Sequence, residues 1–322
     1  MTSRNFTIDN VNPMIQYAPA SAWTEGNKLT DPLASSYSNG GTFTLCTTQG
    51  SSATFQFNGT QVYVFGAKRD NHGPYSITLD GASTTLDGFS AVATFSTLFV
   101  SNVLPQGIHT ITVTNELNDA TKAFLDIDFI TWTTTSTDSG EVVTIEDTAS
   151  QFAYQPATSW NTDLTSSLLT GFSGNNGQCV ILVSRLFPRS PLCSVTQTTG
   201  ASTVISFTGD FITVFGAVGP TIARYTVKVD GATGATFNAT KSAYTPQTAL
   251  YHADGLGSGQ HTIELISQPA VEGQVFAVDY AQVAPTPTTT GTSGDSSASS
   301  KKSSKYLAYP VIVLRAEPFS SA

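Results

Sequence analysis

Ionisable side chains are sparse in this chain, so the places where they gather are the first to weigh for chemistry. Charged residues make up 11% of the 322, against about a quarter in an ordinary domain. Asp126 and Asp128 lie two apart, which puts both on one face of any strand that carries them. A pair of carboxylates is the minimum equipment of a glycoside hydrolase. His109 and His261 occupy two Gly-x-His-Thr-Ile runs. Neither has a Ser or Cys partner in a nucleophile motif, and no Gly-x-Ser-x-Gly elbow is present. Their recurrence points to a structural role at a strand start. His72 closes the polar run Lys68-Arg69-Asp70-Asn71-His72, and His252 stands alone in an expected loop. Trp23 and Trp160 share the setting Tyr-x-Pro-Ala-x-x-Trp. An exposed Trp beside polar groups is what sugar binding asks for, because the apolar face of a sugar stacks on the ring. A Trp plugging the end of a sandwich reads the same way in sequence.

The elements that position these residues come in two sets. "IDNVNPMIQYAPASAW" (8–23) returns as "IEDTASQFAYQPATSW" (145–160), and "VYVFGA" (62–67) as "ITVFGA" (212–217). "YSITLDG" returns as "YTVKVDG", "GIHTITV" as "GQHTIEL", and "LDIDFI" is echoed by "FAVDYA". Matches in one order mean two copies of one domain, about 5–135 and 142–284. Each copy reads as short alternating strands separated by Asn-Gly and Asp-Gly turns, with no stretch of helical period. The expected fold is all-β: two tandem antiparallel sandwiches of jelly-roll type, with Val62, Val64, Ile77, Leu79, Ile111 and Val113 facing inward. In "TFQFNGTQVYVFGAK" the Asn58-Gly59 pair is read as the turn between two strands. The second copy has Ala277 where the first has Asp126, so only one acid of the candidate hydrolase pair recurs.

A strand ending in Asp-Gly, a Gly-x-His-Thr-Ile strand and a closing strand with Asp before an aromatic resemble the galactose-binding-like β-sandwich, host to many carbohydrate-binding modules. The longer pattern, Tyr-x-Pro-Ala-x-x-Trp followed by Val-Phe-Gly-Ala, is similar to the tandem-sandwich surface proteins of mushroom-forming fungi. The resemblance covers residues 5–284 and implies a secreted chain with a Ser/Thr stalk and a membrane helix. It also implies a structural calcium where first and last strands meet. The recurrent acids there are Asp9 with Asp128, and Glu146 or Asp147 with Asp279; turn capping and surface solvation are the plainer roles for the same residues.

The numbering offset between copies changes once. Trp160 minus Trp23 is 137 and Gly177 minus Gly41 is 136, whereas Gly200 minus Gly50 is 150. The surplus falls in "SGNNGQCVILVSRLFPRSPLCSVTQTTG" (173–200), whose Arg, Pro and Cys depart from the rest. Residues 179–194 are read as a translated intron. Gln178-Cys179 and Cys193-Ser194 can encode a donor and an acceptor, and joining their outer halves spells His. An evolved loop is the alternative. The tail, 285–322, begins as a Pro/Thr/Ser stalk, expected disordered and open to O-glycosylation. It ends in "KYLAYPVIVLRAEPFSSA", where the codons of residues 304–306 can hide a further donor, so a C-terminal anchor lost from this sequence is one expectation and a genuine short apolar tail the other.

A formal net charge of −9 excludes the basic face of a nucleic-acid binder. Three cysteines give neither a disulfide framework nor a CxxC metal motif. No apolar leader opens the sequence and no 18-residue apolar run crosses it. Sequons stand at Asn5, Asn58 and Asn238. These leave open a cytosolic chain or a mature or incomplete form of a secreted one; the resemblance implies a non-catalytic extracellular or cell-surface protein that recognises a glycan or cell-wall polysaccharide. The expected ligand-binding residues are Trp23 with Lys68, Arg69, Asp70, Asn71 and His72, all in the first copy, because Val218-Gly219-Pro220-Thr221 has lost that run in the second. A ligand-free surface spacer is the rival reading, and a glycan-active hydrolase the third.

Overall fold

A computed structural model describes residues 2–117, 119–136, 141–161, 193–232 and 234–284. The tail and most of the surplus segment lie outside these residues. Among those described, the only helices are four three-residue 3-10 turns, and none is long and apolar enough to cross a membrane.

The first copy comprises β1 (Thr2–Asp9), β2 (Gln16–Ala18), β3 (Trp23–Gly26), β4 (Phe43–Cys46), β5 (Ser52–Gly59), β6 (Gln61–Lys68), β7 (Pro74–Leu79), β8 (Ala82–Asp87), β9 (Thr94–Val100), β10 (Gly107–Asn115), β11 (Leu125–Ile127) and β12 (Phe129–Ser136). Sheet β1-β12-β6-β9 faces sheet β2-β5-β10-β7-β8, and β11-β4-β3 closes one end. The second copy comprises β13 (Val143–Glu146), β14 (Phe152–Gln155), β15 (Ser194–Thr196), β16 (Ser202–Thr208), β17 (Phe211–Val218), β18 (Arg224–Val229), β19 (Thr236–Asn238), β20 (Thr245–Ala253), β21 (Gln260–Gln268) and β22 (Phe276–Ala284). Its sheets, β13-β22-β17-β20 with β15 on β22 and β14-β16-β21-β18-β19, repeat the arrangement. Every pairing between these strands is antiparallel.

The alternating pattern buries Val62, Val64, Ile77, Ile111 and Val113 completely, while Leu79 at a strand end is half-buried. The Val-Phe-Gly-Ala repeat has a steric cause. A Cβ on Gly66 would meet the Asp126 carbonyl oxygen at 2.4 Å, and one on Gly216 the Ala277 carbonyl oxygen at 2.2 Å. Each glycine lets the central strand close on the strand that carries the candidate acid. Asn58-Gly59 is not the expected hairpin turn. β5 and β6 belong to different sheets, so the pair is a crossover between layers. Gly59 is needed there because a Cβ would lie 2.4 Å from the Thr133 carbonyl oxygen.

One continuous apolar core runs through both copies. The two meet where the β1/β12 face of the first rests on the β17/β20 face of the second. The Phe6 ring packs on His252 at 4.1 Å and edge-on to Phe211 at 5.5 Å, with Trp132 5.3 Å from His252. Asn58 Nδ2 donates to the Asp254 carbonyl at 2.8 Å, and Asn12 Nδ2 to the Ala249 carbonyl at 2.9 Å. At the rim Ser242 N donates to the Glu25 carboxylate at 2.9 Å.

The surplus segment ends earlier than the expected residue 194. Cys193 and Ser194 are buried, Ser194 opens β15 opposite Val278, and its hydroxyl donates to Asp147 Oδ2 at 2.7 Å. Residues 179–192 lie outside the described set. Cys193 is disulfide-bonded, and Cys46 is free and buried.

Candidate functional site

At the end closed by β11-β4-β3, the first copy gathers most of the run that the sequence singled out. Arg69 lies beside Phe89 in a short parallel bridge, with its amide donating to the Gly88 carbonyl at 3.1 Å. Its guanidinium pairs with Asp31, whose other oxygen accepts from the Leu33 amide at 2.8 Å. His72 is buried, its Nε2 2.9 Å from Asp126 Oδ2 and its Nδ1 2.8 Å from Asn71 Oδ1. The Tyr37 hydroxyl donates to the same Asp126 oxygen, and its ring stacks on Phe43 at 4.2 Å. Burial and the Asp126 carboxylate together raise the Tyr37 hydroxyl far above its ordinary pKa. Residues from two separate connections, β3–β4 and β6–β7, are thus held around one carboxylate.

Most of this machinery faces inward. Asp126 and Asp128, the candidate hydrolase pair, are both buried. Lys68 is half-buried and Asp70 exposed. The Arg69–Asp31 pair keeps a window to solvent, its side chains 16% and 12% exposed. Beside it the Phe89 ring is 40% exposed, with Lys122 Nζ 4.1 Å above it. Leu33 and Val92 are exposed on the loops around it.

Trp23 is not the aromatic of this site. The register sets Trp23 abreast of Cys46 and Leu125, on the core side of the small sheet, whereas Asp126 pairs with Leu45 and faces the other way. Its ring packs at 4.8 Å on Tyr17 and its Nε1 is buried. Trp160 repeats this against Tyr154 at 4.8 Å. The exposed ring next to Arg69 is Phe89, which sequence reasoning missed. The only available signal was its place between the turn residues Asp87-Gly88 and Ser90.

In the second copy Gly219 takes the place of Arg69, bridging Thr240 as Arg69 bridges Phe89, and Ile222 takes that of His72. Ala277 takes that of Asp126. The Tyr244 ring covers Gly219, where a Cβ would lie 2.1 Å from it. The matching histidines outside this end are structural. His109 Nδ1 lies 2.6 Å from Asp80 Oδ2 and His261 Nδ1 2.8 Å from Asp230 Oδ2, each fastening its strand to the preceding Asp-Gly turn.

The recurrent acids form two clusters, one per copy. Asp9 accepts from Asn39 Nδ2 at 2.9 Å and Thr42 at 3.4 Å, and Asp128 from the Ser38 amide at 3.0 Å. Asp147 adjoins Asp279 through a backbone hydrogen bond of 3.1 Å, with Glu146 alongside in sequence. Burial raises Asp9, Asp128 and Asp147 to about 6. Burial and the Asp147 and Glu146 charges raise Asp279 to about 8. These residues do not fit the calcium that the fold resemblance implies. Both Asp9 oxygens are already engaged, and among the described residues no three His, Cys, Asp or Glu side chains converge, whereas calcium takes about six to eight oxygens. Burial favours the protonated form of these carboxylates, of Asp279 most.

Of the sequons, Asn5 and Asn238 are exposed. Asn58 is engaged, donating across the internal interface and accepting from Gln106 at 2.9 Å.

No protein-family model matches this sequence, and no curated protein matches it. The fold is distantly similar to carbohydrate-binding modules and to β-sandwich domains of esterases. A CBM36 carbohydrate-binding module in complex with calcium and xylotriose matches at 13% identity over 39% of this chain and 97% of its own, TM-score 0.26. The CBM36-1 domain of a multidomain xylanase from the hindgut metagenome of Trinervitermes trinervoides matches at 10% identity over 41% and 98%, TM-score 0.26. A family two carbohydrate esterase from Cellvibrio japonicus matches at 16% identity over 42% of this chain, TM-score 0.30; the match spans 35% of the esterase.

Proposed function

We propose that this chain is a non-catalytic extracellular or cell-surface protein that recognises a glycan through the loop end of its first sandwich. The observation that carries the reading is the half-open Phe89 ring beside the partly exposed Arg69–Asp31 pair. A sugar offers an apolar ring face and a fringe of hydroxyls. It is held by an aromatic surface and by donors and acceptors already fixed in place. The Tyr37–Asp126–His72 cluster underneath locks the loops that carry those groups, which reduces the ordering required on binding. Burial of Asp126 and Asp128 supports the absence of hydrolysis, because a substrate must reach both acids.

A glycan array probed with the full chain tests this. Specific binding is expected, with Phe89→Ala weakening it about tenfold, the loss of about 1.4 kcal/mol at a stacking contact. Phe89→Ala is expected to leave the melting temperature nearly unchanged because the ring is exposed. Silence across the array favours the ligand-free spacer, a reading supported by the single core that joins both copies into one stiff unit.

A further inference from the structure

The contact between the two copies joins unlike surfaces: the β1/β12 face of the first meets the β17/β20 face of the second. Such a heterologous contact always leaves two faces over. In this chain they are the β6/β9 face of the first copy and the β13/β22 face of the second. Heterologous contacts do not close on themselves in pairs; repeated, they build rings or open chains.

The repeat identifies what those spare faces hold. Phe6, opposite Trp132 on β12, corresponds to Val143, opposite Val283 on β22. His252, opposite Thr213 on β17, corresponds to Val100, opposite Tyr63 on β6. Phe6 and His252 touch inside the chain, at 4.1 Å. Their counterparts Val143 and Val100 are both apolar and each 46% exposed. Val142, 38% exposed, and Val103, 78% exposed, extend the two patches. The polar rim also remains compatible. Asn58 and Asp254, which share a hydrogen bond across the internal contact, correspond to Thr208 and Asn102, a hydroxyl donor and a residue whose carbonyl is an acceptor. Arg4, which lies 4.9 Å over Phe211, corresponds to Glu141, and Phe211 to Gln61, so no like charges oppose.

We propose that the chain associates head to tail with further copies of itself, the β13/β22 face of one molecule seating on the β6/β9 face of the next as the two copies seat within the chain. Valines replace the aromatic and imidazole rings, so this contact is weaker than the internal one and depends on concentration.

Sedimentation of the full chain at concentrations up to about 1 mM, where weak contacts still register, tests it. The expected result is a weight-average mass that climbs past the dimer. Val143→Lys and Val100→Lys, each checked for an unchanged melting curve, are expected to be monomeric alone. Mixed in equal amounts they are expected to form dimers and nothing larger, since each supplies the face the other lacks. A monomer at every concentration overturns the proposal. So does association that survives either substitution, or a mixture that stays monomeric.

Discussion

Arg69, His72 and Asp126 in the first copy occupy the places of Gly219, Ile222 and Ala277 in the second, and the strands around them run in the same register. One copy fills the space under its loops with charges and hydrogen bonds; the other fills it with aliphatic carbon and lays Tyr244 over the gap. Removing one partner from a buried charged network costs more than replacing the whole network by apolar groups. The replacements therefore had to travel together. At these three places the second copy has no charged group, which is why the binding reading attaches to the first.

The largest expected effect comes from interrupting the network at its centre. Asp126→Ala leaves His72 and Tyr37 facing an empty place and is expected to lower stability by about 3–5 kcal/mol. The triple change Tyr37→Phe, His72→Ile and Asp126→Ala installs the residues found at the matching sequence positions 172, 222 and 277. It is expected to recover most of that loss in denaturant titration. If the triple variant is less stable than Asp126→Ala alone, the two copies are not interchangeable solutions.

A smaller effect separates the acid clusters. Asp279 is raised to about 8 in the folded chain, from an unfolded value near 4. Between those values the folded state holds a proton that the unfolded state has released. Stability therefore falls as pH rises from about 4 to about 8, and levels off above. Asp279→Asn cannot ionise, so it is expected to flatten this fall and to be the more stable protein at pH 8, by a few kcal/mol. Asp128 reaches only about 6, so Asp128→Asn is expected to gain less, with its window closing near pH 6. Thermal melts across pH 4–9 measure both.

The smallest effect expected is none. Millimolar calcium should leave the melting temperature of the full chain within error, because neither acid cluster gathers enough free oxygens to cage it. A rise of several degrees at neutral pH, lost on chelation, would falsify that account.

The fold was largely readable from the sequence, because period-two alternation, Asp-Gly turns and a repeat all point the same way. What resisted was the direction in which each polar or aromatic residue faces. Trp23 looks like a sugar platform in type and spacing, yet the register with Cys46 turns it inward. Phe89 looks like core and sits at the surface. Asp126 meets His72 across 54 positions of sequence, and no local pattern announces that contact. Asn58-Gly59 resembled a hairpin because the residue pair suits one, but the strands on either side pair with other partners. The internal contact between copies was invisible for the same reason: it joins faces, and faces exist only after strands have been assigned neighbours.

Asn58 carries a consequence for biosynthesis. Its amide nitrogen donates across the internal interface, and Gly255 lies against it with space for no Cβ. That nitrogen is also the atom to which an N-linked oligosaccharide attaches. The first copy is synthesised before the second, so in any compartment that glycosylates, Asn58 stands uncovered until residue 255 has been made and docked. Transferase and docking then compete for one atom, and a chain modified there is permanently barred from closing the interface. In such a compartment, speed of assembly, rather than sequence, would decide whether this sequon is used.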